Sequence, residues 1–364
     1  MVRLITGAAG MMGSHLYEAL KDDDGTSLLS KEEVVATYHN STLDESESIT
    51  QEMVEMNILD YECVKEVLGK YKPNVIYHLA AQSRPDVSFN DPKLTLDTNI
   101  IGTTNLLQAC VELENKCLFI NASSSAVYGD IKWNPAPKEE TICNPLSPYG
   151  TSKLAQENIV KNYHQMYGDN INYVNVRIFN CTGPRKVNDL ISDICRRVVN
   201  KEFPIKVGNL GGVRSIVDVR DLVKGLLLCE LHVLYTKNQT FNLGGDRMYR
   251  TYEVIRQIIG DHPFEKDENL IRPLDEDIIV GNTNKAKKTL TWQPEISIED
   301  TIFDTLDYWR TVKYGKNFIP RFLRRLFFRK NISSLPIETE EKCGCCGTIL
   351  NQEQVDASLG LSKK

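Results

Sequence analysis

No stretch of this 364-residue chain is apolar for long enough to span a membrane. Its start also lacks the charged-then-apolar pattern of a secretory leader, because Val2 to Thr6 already reads as a buried strand. A cytoplasmic location is the expectation these two absences leave. Positive charge is short as well: the net charge of −6 argues against a nucleic-acid partner. No group of His, Cys, Asp and Glu in the body of the chain has metal-ligand spacing, so no metal is expected. There is no internal repeat. Cysteine is present but not patterned. Cys63, Cys110, Cys117, Cys143, Cys181, Cys195 and Cys229 stand apart in apolar surroundings, which suits reduced core thiols better than a disulfide framework. With 41% hydrophobic and 25% charged residues, the chain has core enough for one large or two moderate domains.

At the N-terminus, the strand Val2 to Thr6 runs into Gly7-Ala8-Ala9-Gly10-Met11-Met12-Gly13, and helical spacing follows from Ser14 to Leu20. A glycine-rich turn between strand and helix lets the backbone approach a pyrophosphate seated on the helix N-terminus. Further strands are expected at Val34 to Tyr38, Met53 to Met56, Asn74 to Leu79, Cys117 to Asn121 and Tyr173 to Ile178. Helical patterns lie between them, as in Asp60 to Tyr71 and Leu94 to Leu113. Such alternation predicts an α/β fold, a Rossmann-type doubly wound parallel sheet over residues 1–178. Residues 179–315 mix short strands and helices with Gly and Pro, and read as a smaller, interleaved substrate domain containing segments that return to the sheet. Residues 316–364 read as a basic, then polar tail that is a solvated extension. Its amphipathic run from Arg321 to Lys330 could instead dock on an anionic membrane surface, and Cys343, Cys345 and Cys346 could carry lipid or metal.

The chemistry is carried by Tyr149 and Lys153, four residues apart, with Ser123-Ser124-Ser125 upstream. A phenol is a poor acid or base at neutral pH, and a lysine ammonium one helical turn away favours its phenolate. A serine hydroxyl can bond the substrate oxygen whose proton is moving. Together they suit interconversion of an alcohol and a ketone beside a hydride carrier. Tyr-x-x-x-Lys alone is common and equally describes a solvated helix face. His78, at the end of the fourth strand, reads as a hydrogen-bonded structural histidine rather than a base or ligand.

The Gly7–Gly13 turn, His78-Leu79-Ala80-Ala81, Asn99-Ile100-Ile101-Gly102-Thr103, Ser123 to Gly129 and Tyr149 to Lys153 occur in an order and spacing that resemble the extended short-chain dehydrogenase/reductase family, in its nucleotide-sugar branch. The resemblance covers roughly residues 1–315. It implies that Ser124 polarises the substrate oxygen and Tyr149 exchanges the proton. Lys153 depresses the tyrosine's pKa and binds the nicotinamide ribose, and Asn99 supports the helix and pocket. Cofactor contacts are implied for Gly7, Gly10, Met11, Met12 and Gly13, for His39, Asn57 and Ile58, and for Leu79, Ala80, Ala81, Asn99, Tyr149 and Lys153. The second half is most similar to reductases of GDP-4-keto-6-deoxymannose and to GDP-mannose 4,6-dehydratases. The segments Arg177 to Arg185, Val207 to Leu210, Arg214 to Asp221, Arg272-Pro273, Gly281-Asn282 and Trp292-Gln293-Pro294 carry that likeness. It implies a nucleotide-diphosphate sugar as the substrate, contacted by Asn180, Arg185, Arg214 and Arg272, because guanidinium forks match phosphate geometry.

Ala126 stands where a 4,6-dehydratase carries the glutamate that eliminates water, and no carboxylate lies between Ser123 and Tyr128. A reductase acting at sugar C4 is therefore the expected activity. Dehydratase and 4-epimerase remain open, as does a non-catalytic NADP-binding sensor. Thr37 to Thr42 offers no carboxylate to repel a 2′-phosphate, so NADP(H) is favoured over NAD(H). Relatives pair through helices matching Leu94 to Leu113 and Ser152 to Tyr167, which implies a homodimer.

Overall fold

The computed structural model describes residues 1–21, 28–29, 32–39, 53–130, 135–271 and 278–315. Strands and helices alternate through the first half as β1 (Val2–Thr6), α1 (Met11–Lys21), β2 (Glu33–Tyr38), β3 (Val54–Glu55), α2 (Tyr61–Tyr71), β4 (Val75–His78), α3 (Pro85–Asn90), α4 (Pro92–Leu96), α5 (Gly102–Glu112), β5 (Cys117–Ser124), α6 (Pro148–Tyr167) and β6 (Ile171–Ile178). The second half supplies β7 (Cys181–Thr182), α7 (Leu190–Asn200), β8 (Ile205–Val207), β9 (Val213–Ser215), β10 (Val217–Asp218), α8 (Val219–Leu231), α9 (Val233–Thr236), β11 (Gln239–Leu243) and β12 (Met248–Arg250). It ends with α10 (Thr251–Ile259), β13 (Phe264–Lys266), β14 (Ile278–Ile279), α11 (Asn284–Leu290) and α12 (Ile298–Tyr314).

The main sheet is parallel throughout, in the order β11-β6-β5-β4-β1-β2-β3. From the middle of the sheet the chain winds outward through β2 and β3 on one side and through β5, β6 and β11 on the other. The winding reverses between β1 and β4, so a crevice opens at their C-terminal ends, the place where such sheets bind ligands.

Both faces of the sheet are covered, as a parallel sheet requires. On one side α1, α8 and α11 bury Leu16, Leu226 and Leu290 with Phe241 and Trp292. On the other, α2, α5 and α6 bury Leu68, Leu107 and Val160 against Phe119. Each such side chain contributes about 1.5–3 kcal/mol on burial. The Trp292 indole N–H donates to the Asp221 carbonyl at 2.8 Å. A Cβ at residue 225 would lie 3.1 Å from that indole nitrogen and 2.6 Å from Leu243, so Gly225 gives the tryptophan its room.

A second lobe packs α7, α10 and α12 around Ile194, Val254, Ile258, Ile302 and Leu306, with short strand pairs at its rim. Elements of the second half also belong to the first core: α8, α11 and β11, the last of which pairs with β6 at the sheet edge.

One expectation changes in detail. The helix expected over Leu94 to Leu113 is α4 and α5 joined by a π-helical turn, Asp97–Ile101. Such turns insert one extra residue and re-aim side chains, often at functional sites. Here the turn carries Asn99 inward, fully buried, toward α6. No described helix is long and apolar enough to cross a membrane. The basic run from 321, the cysteines at 343–346 and Arg272 lie outside the described residues.

Candidate active site

The glycine-rich turn has the shape its residues imply. Gly7 sits at φ +69, and a Cβ there would lie 2.8 Å from the Ala80 backbone. A Cβ at Gly13 would lie 2.4 Å from the Gly7 carbonyl oxygen and 2.6 Å from Ala8 Cα, so only glycine lets α1 start this close to the turn. At Gly10 a Cβ would meet no other atom nearer than 3.4 Å, and the residue is exposed. This side of the turn therefore offers backbone without a side chain. Met11 and Met12 open α1, whose first turn holds no acidic residue. Their N–H groups and the helix dipole suit the pyrophosphate of a dinucleotide.

Thr6 binds this turn to the next strand. Its hydroxyl accepts the Leu79 and Ala80 N–H groups, each at 3.1 Å, and bonds His78 Nδ1 at 2.8 Å. His78 Nε2 in turn meets the Thr103 hydroxyl at 2.9 Å. Burial, with a smaller push from Lys153, lowers the His78 pKa to about 3, so the ring is neutral and acts as a strut. Asn99 spans the adjacent gap: its amide accepts the Gln82 N–H at 2.9 Å and donates to the Gln82 carbonyl at 3.0 Å and the Ser152 hydroxyl at 2.8 Å.

The catalytic candidates come together at the end of β5 and the first turns of α6. Ser147 caps α6 by accepting the Gly150 N–H at 3.0 Å, and Pro148 follows at the first helical position. That start places Tyr149 and Lys153 one turn apart, both buried against β5. Gly150 is required for the approach, because a Cβ there would lie 2.4 Å from the Ala126 carbonyl oxygen. Ser124, which accepts the Ala126 N–H at 3.2 Å, hydrogen-bonds the Tyr149 phenol. Burial raises the Tyr149 pKa, and the Ser124 bond opposes the rise. Lys153 Nζ donates to the Ala122 carbonyl at 2.8 Å and to Gln156 Oε1 at 3.0 Å. Burial lowers its pKa to about 7, with Glu157 acting the other way.

Sequence reasoning missed several polar residues beneath this site. Glu157, one turn beyond Lys153, takes a bidentate fork from Arg177 on β6 (2.9 and 2.8 Å) and a hydrogen bond from Ser123. Gln156 donates to Thr103 at 2.7 Å. Ser152, Lys153, Gln156 and Glu157 make the sheet-facing side of α6 polar. That inverted amphipathicity is the signal that could have found them.

The remaining candidates fall at several places. His39 is exposed just past β2. Asn57 bonds its own turn, accepting the Leu59 N–H at 3.0 Å, and Ile58 packs under Gly102. Asn180 (φ 37) donates to the carbonyls of Ser215 and Ile279 at 3.0 and 3.2 Å, joining β6 to the second lobe. Arg185 (φ 67) reaches back to α1, where its guanidinium forks onto Glu18 at 2.8 and 2.6 Å. It thus ties the loop after β7 to α1, beside the glycine-rich turn, and Arg214 lies on β9 between β12 and β14. Asn180, Arg185 and Asn188 all hold positive φ, a conformation that asparagine adopts more readily than arginine.

Comparison with known proteins agrees with this geometry. The model of the GDP-mannose 4,6 dehydratase family matches residues 4–305. UDP-glucuronate 4-epimerase of Thermodesulfobacterium geofontis is 27% identical over 317 residues, covering 84% of this chain and 95% of the relative. Human GDP-mannose 4,6 dehydratase is 28% identical over 335 residues, covering 83% and 89%. Among solved structures, UDP-glucose 4-epimerase of Thermotoga maritima with UDP-glucose superposes with a TM-score of 0.75 at 26% identity, covering 86% of this chain and 100% of that one. The Thermus thermophilus UDP-glucose 4-epimerase with NAD gives 0.72 at 27%, covering 85% and 99%. The chain belongs to the GDP-mannose 4,6 dehydratase family, among the extended short-chain dehydrogenase/reductase enzymes that work on nucleotide sugars with a nicotinamide dinucleotide.

Proposed function

We propose that this protein reduces the C4 ketone of a nucleotide-linked 4-keto-6-deoxyhexose, GDP-4-keto-6-deoxymannose, with NADPH preferred over NADH. The observation that carries the reading is Ala126. Ser124, Tyr149 and Lys153 converge in one buried site, while a methyl group occupies the place from which a dehydratase would move its second proton. Alanine exchanges no proton, so hydride transfer at C4 is available and elimination across C5–C6 is not.

The nicotinamide, when bound on the turn from Gly7 to Gly13 and against Leu79 to Ala81, supplies the hydride. The chain supplies the rest. Ser124 bonds the substrate oxygen and orients it. Tyr149, whose proton is held by burial, gives that proton to the oxygen as C4 gains hydride, so ketone becomes alcohol and phenol becomes phenolate. The Lys153 ammonium stabilises the phenolate until solvent returns the proton. Arg214 is the proposed diphosphate contact.

A second reading, 4-epimerisation, is favoured by the similarity to UDP-sugar 4-epimerases and uses the same three side chains. Parallel incubations separate the two. Oxidation of NADPH by GDP-4-keto-6-deoxymannose, faster than that of NADH, is expected. Conversion of UDP-glucose to UDP-galactose with no net change in cofactor would replace the first reading by the second. Loss of water from GDP-mannose would overturn the argument from Ala126.

We also propose that two copies pair through α4–α5 and α6, where Leu94, Ile101 and Met166 are exposed. Sedimentation should give twice the chain mass at micromolar concentration, and a monomer there would remove the proposal.

A further inference from the structure

Lys153 is a buried ammonium whose hydrogen-bond partners are neutral oxygens of Ala122 and Gln156. An ammonium in such a place costs several kcal/mol of hydration unless an opposite charge compensates it. The charged and titratable groups around it are few. On its own helix are Tyr149 and Glu157; on β4 is His78, held neutral; on β6 is Arg177. What β5 offers it is the Ala122 carbonyl, which carries no charge. Glu157 is thus the one carboxylate that faces the ammonium among the described residues.

Its placement is fixed on three sides. Lys153 and Glu157 stand at i and i+4 on α6 and point the same way. Arg177 grips both carboxylate oxygens, and Ser123, the residue before the catalytic serine, donates to one of them. Arg177 is held in turn by the Tyr128 hydroxyl and the Glu139 carbonyl, each at 2.9 Å. The carboxylate therefore cannot swing to solvent.

We infer that Glu157 is a positioning residue of the reaction: clamped by Arg177 and Ser123, its carboxylate keeps the buried Lys153 ammonium charged, so that Tyr149 can release its proton. The inference rests on the reading of Tyr149 and Lys153 as a working pair. The sign follows from charge. Without the carboxylate the ammonium loses its stabilising neighbour and gives up its proton at lower pH. A neutral lysine leaves the phenolate unsupported, so reduction by Glu157→Gln should fail at neutral pH and recover toward acid. A merely structural defect would instead lower turnover equally at every pH.

The test reads Lys153 directly. With lysine labelled by ¹³C at Cε, its titration is followed by NMR in the wild type and in Glu157→Gln, with Lys153→Met identifying the signal. Lys153 should titrate near pH 7 in the wild type, as burial dictates. Its midpoint should fall by about one unit or more in Glu157→Gln, a tenfold change in proton affinity. An unchanged midpoint in a folded variant would overturn the inference. If Glu157→Gln does not fold, Glu157→Asp keeps the charge but withdraws it by one methylene, and should shift the midpoint the same way by less; no shift there is equally fatal. The alkaline limb of NADPH oxidation should move in parallel, and a limb that stays put while the NMR midpoint moves overturns the link to catalysis. Should no nucleotide sugar turn over at all, a displaced NMR midpoint would leave the Glu157–Lys153 coupling standing and sink only the substrate reading.

Discussion

Replacing Tyr149 with phenylalanine is expected to lower turnover by about 100- to 10,000-fold, the range that a positioned acid or base supplies. The ring stays, so packing at the start of α6 should survive. What is lost is one hydroxyl, the partner of Ser124. The glycine-rich turn that would hold the pyrophosphate lies on β1 and α1 and owes nothing to that hydroxyl, so dinucleotide binding should change little. Fluorescence titration with NADPH and initial rates on the same preparations check both halves. A variant that binds and does not turn over fits a catalyst. A wild type that binds NADPH but turns over none of the sugars above would fit a sensor, and a variant with undiminished turnover would remove Tyr149 from the mechanism.

The second large effect concerns stability, at the opposite end of the same sheet. Arg3 on β1 and Glu230 on α8 form a buried ion pair, with guanidinium-to-carboxylate distances of 2.7 to 3.0 Å. The Tyr77 hydroxyl from β4 donates to the same carboxylate at 2.6 Å. Burial works against the Arg3 charge, but the Glu230 bonds and charge leave its pKa raised. Burial, and then Glu230, raises that of Tyr77. Glu230→Ala removes the carboxylate that a buried guanidinium and a buried phenol share. The expected cost is about 3–5 kcal/mol, because removing one partner of a buried ion pair leaves the other charge under-compensated. The triple change Arg3→Met, Tyr77→Phe, Glu230→Leu should regain most of that loss, since all three polar groups leave together. Urea unfolding reads both. A Glu230→Ala loss below about 1 kcal/mol would show that water enters this end of the core.

How much of this was legible beforehand depended on whether a side chain answers to its neighbours in sequence or in space. The β1–turn–α1 unit was readable because glycine spacing reports local backbone needs: Gly13 is glycine on account of Gly7 and Ala8, a few residues away. The Tyr149–Lys153 pair was readable for the same reason, one helical turn fixing both. The partner of Arg185 was not: its guanidinium meets Glu18, 167 residues distant. Glu157 was hidden by the rule that charged helix positions face solvent. On α6 that rule inverts, because this face lies over the site and its charges are matched by Arg177 from β6. The π-helical turn escaped notice because one inserted residue hardly disturbs an apolar pattern over 20 positions, yet it turns Asn99 inward. His78 read correctly as structural because its strand is apolar on both faces.

The outward winding of the sheet bears on the order in which the chain can fold as it is made. When residue 178 has been synthesised, β6 has its inner neighbour β5 but not its outer one, which arrives only with Gln239–Leu243. The face that α8 will cover is also bare until Leu222 and Leu226 appear, and Trp292 closes the same cluster later still. Nor can the second lobe assemble ahead, since Ile302 and Leu306 of α12 are part of its core. A nascent chain halted after β6 would present an open strand edge and an uncovered apolar face, the surfaces that drive self-association. Neither lobe is a contiguous cassette that could be lifted out by cutting the chain once, and the protein must be almost wholly translated before either core can be sealed.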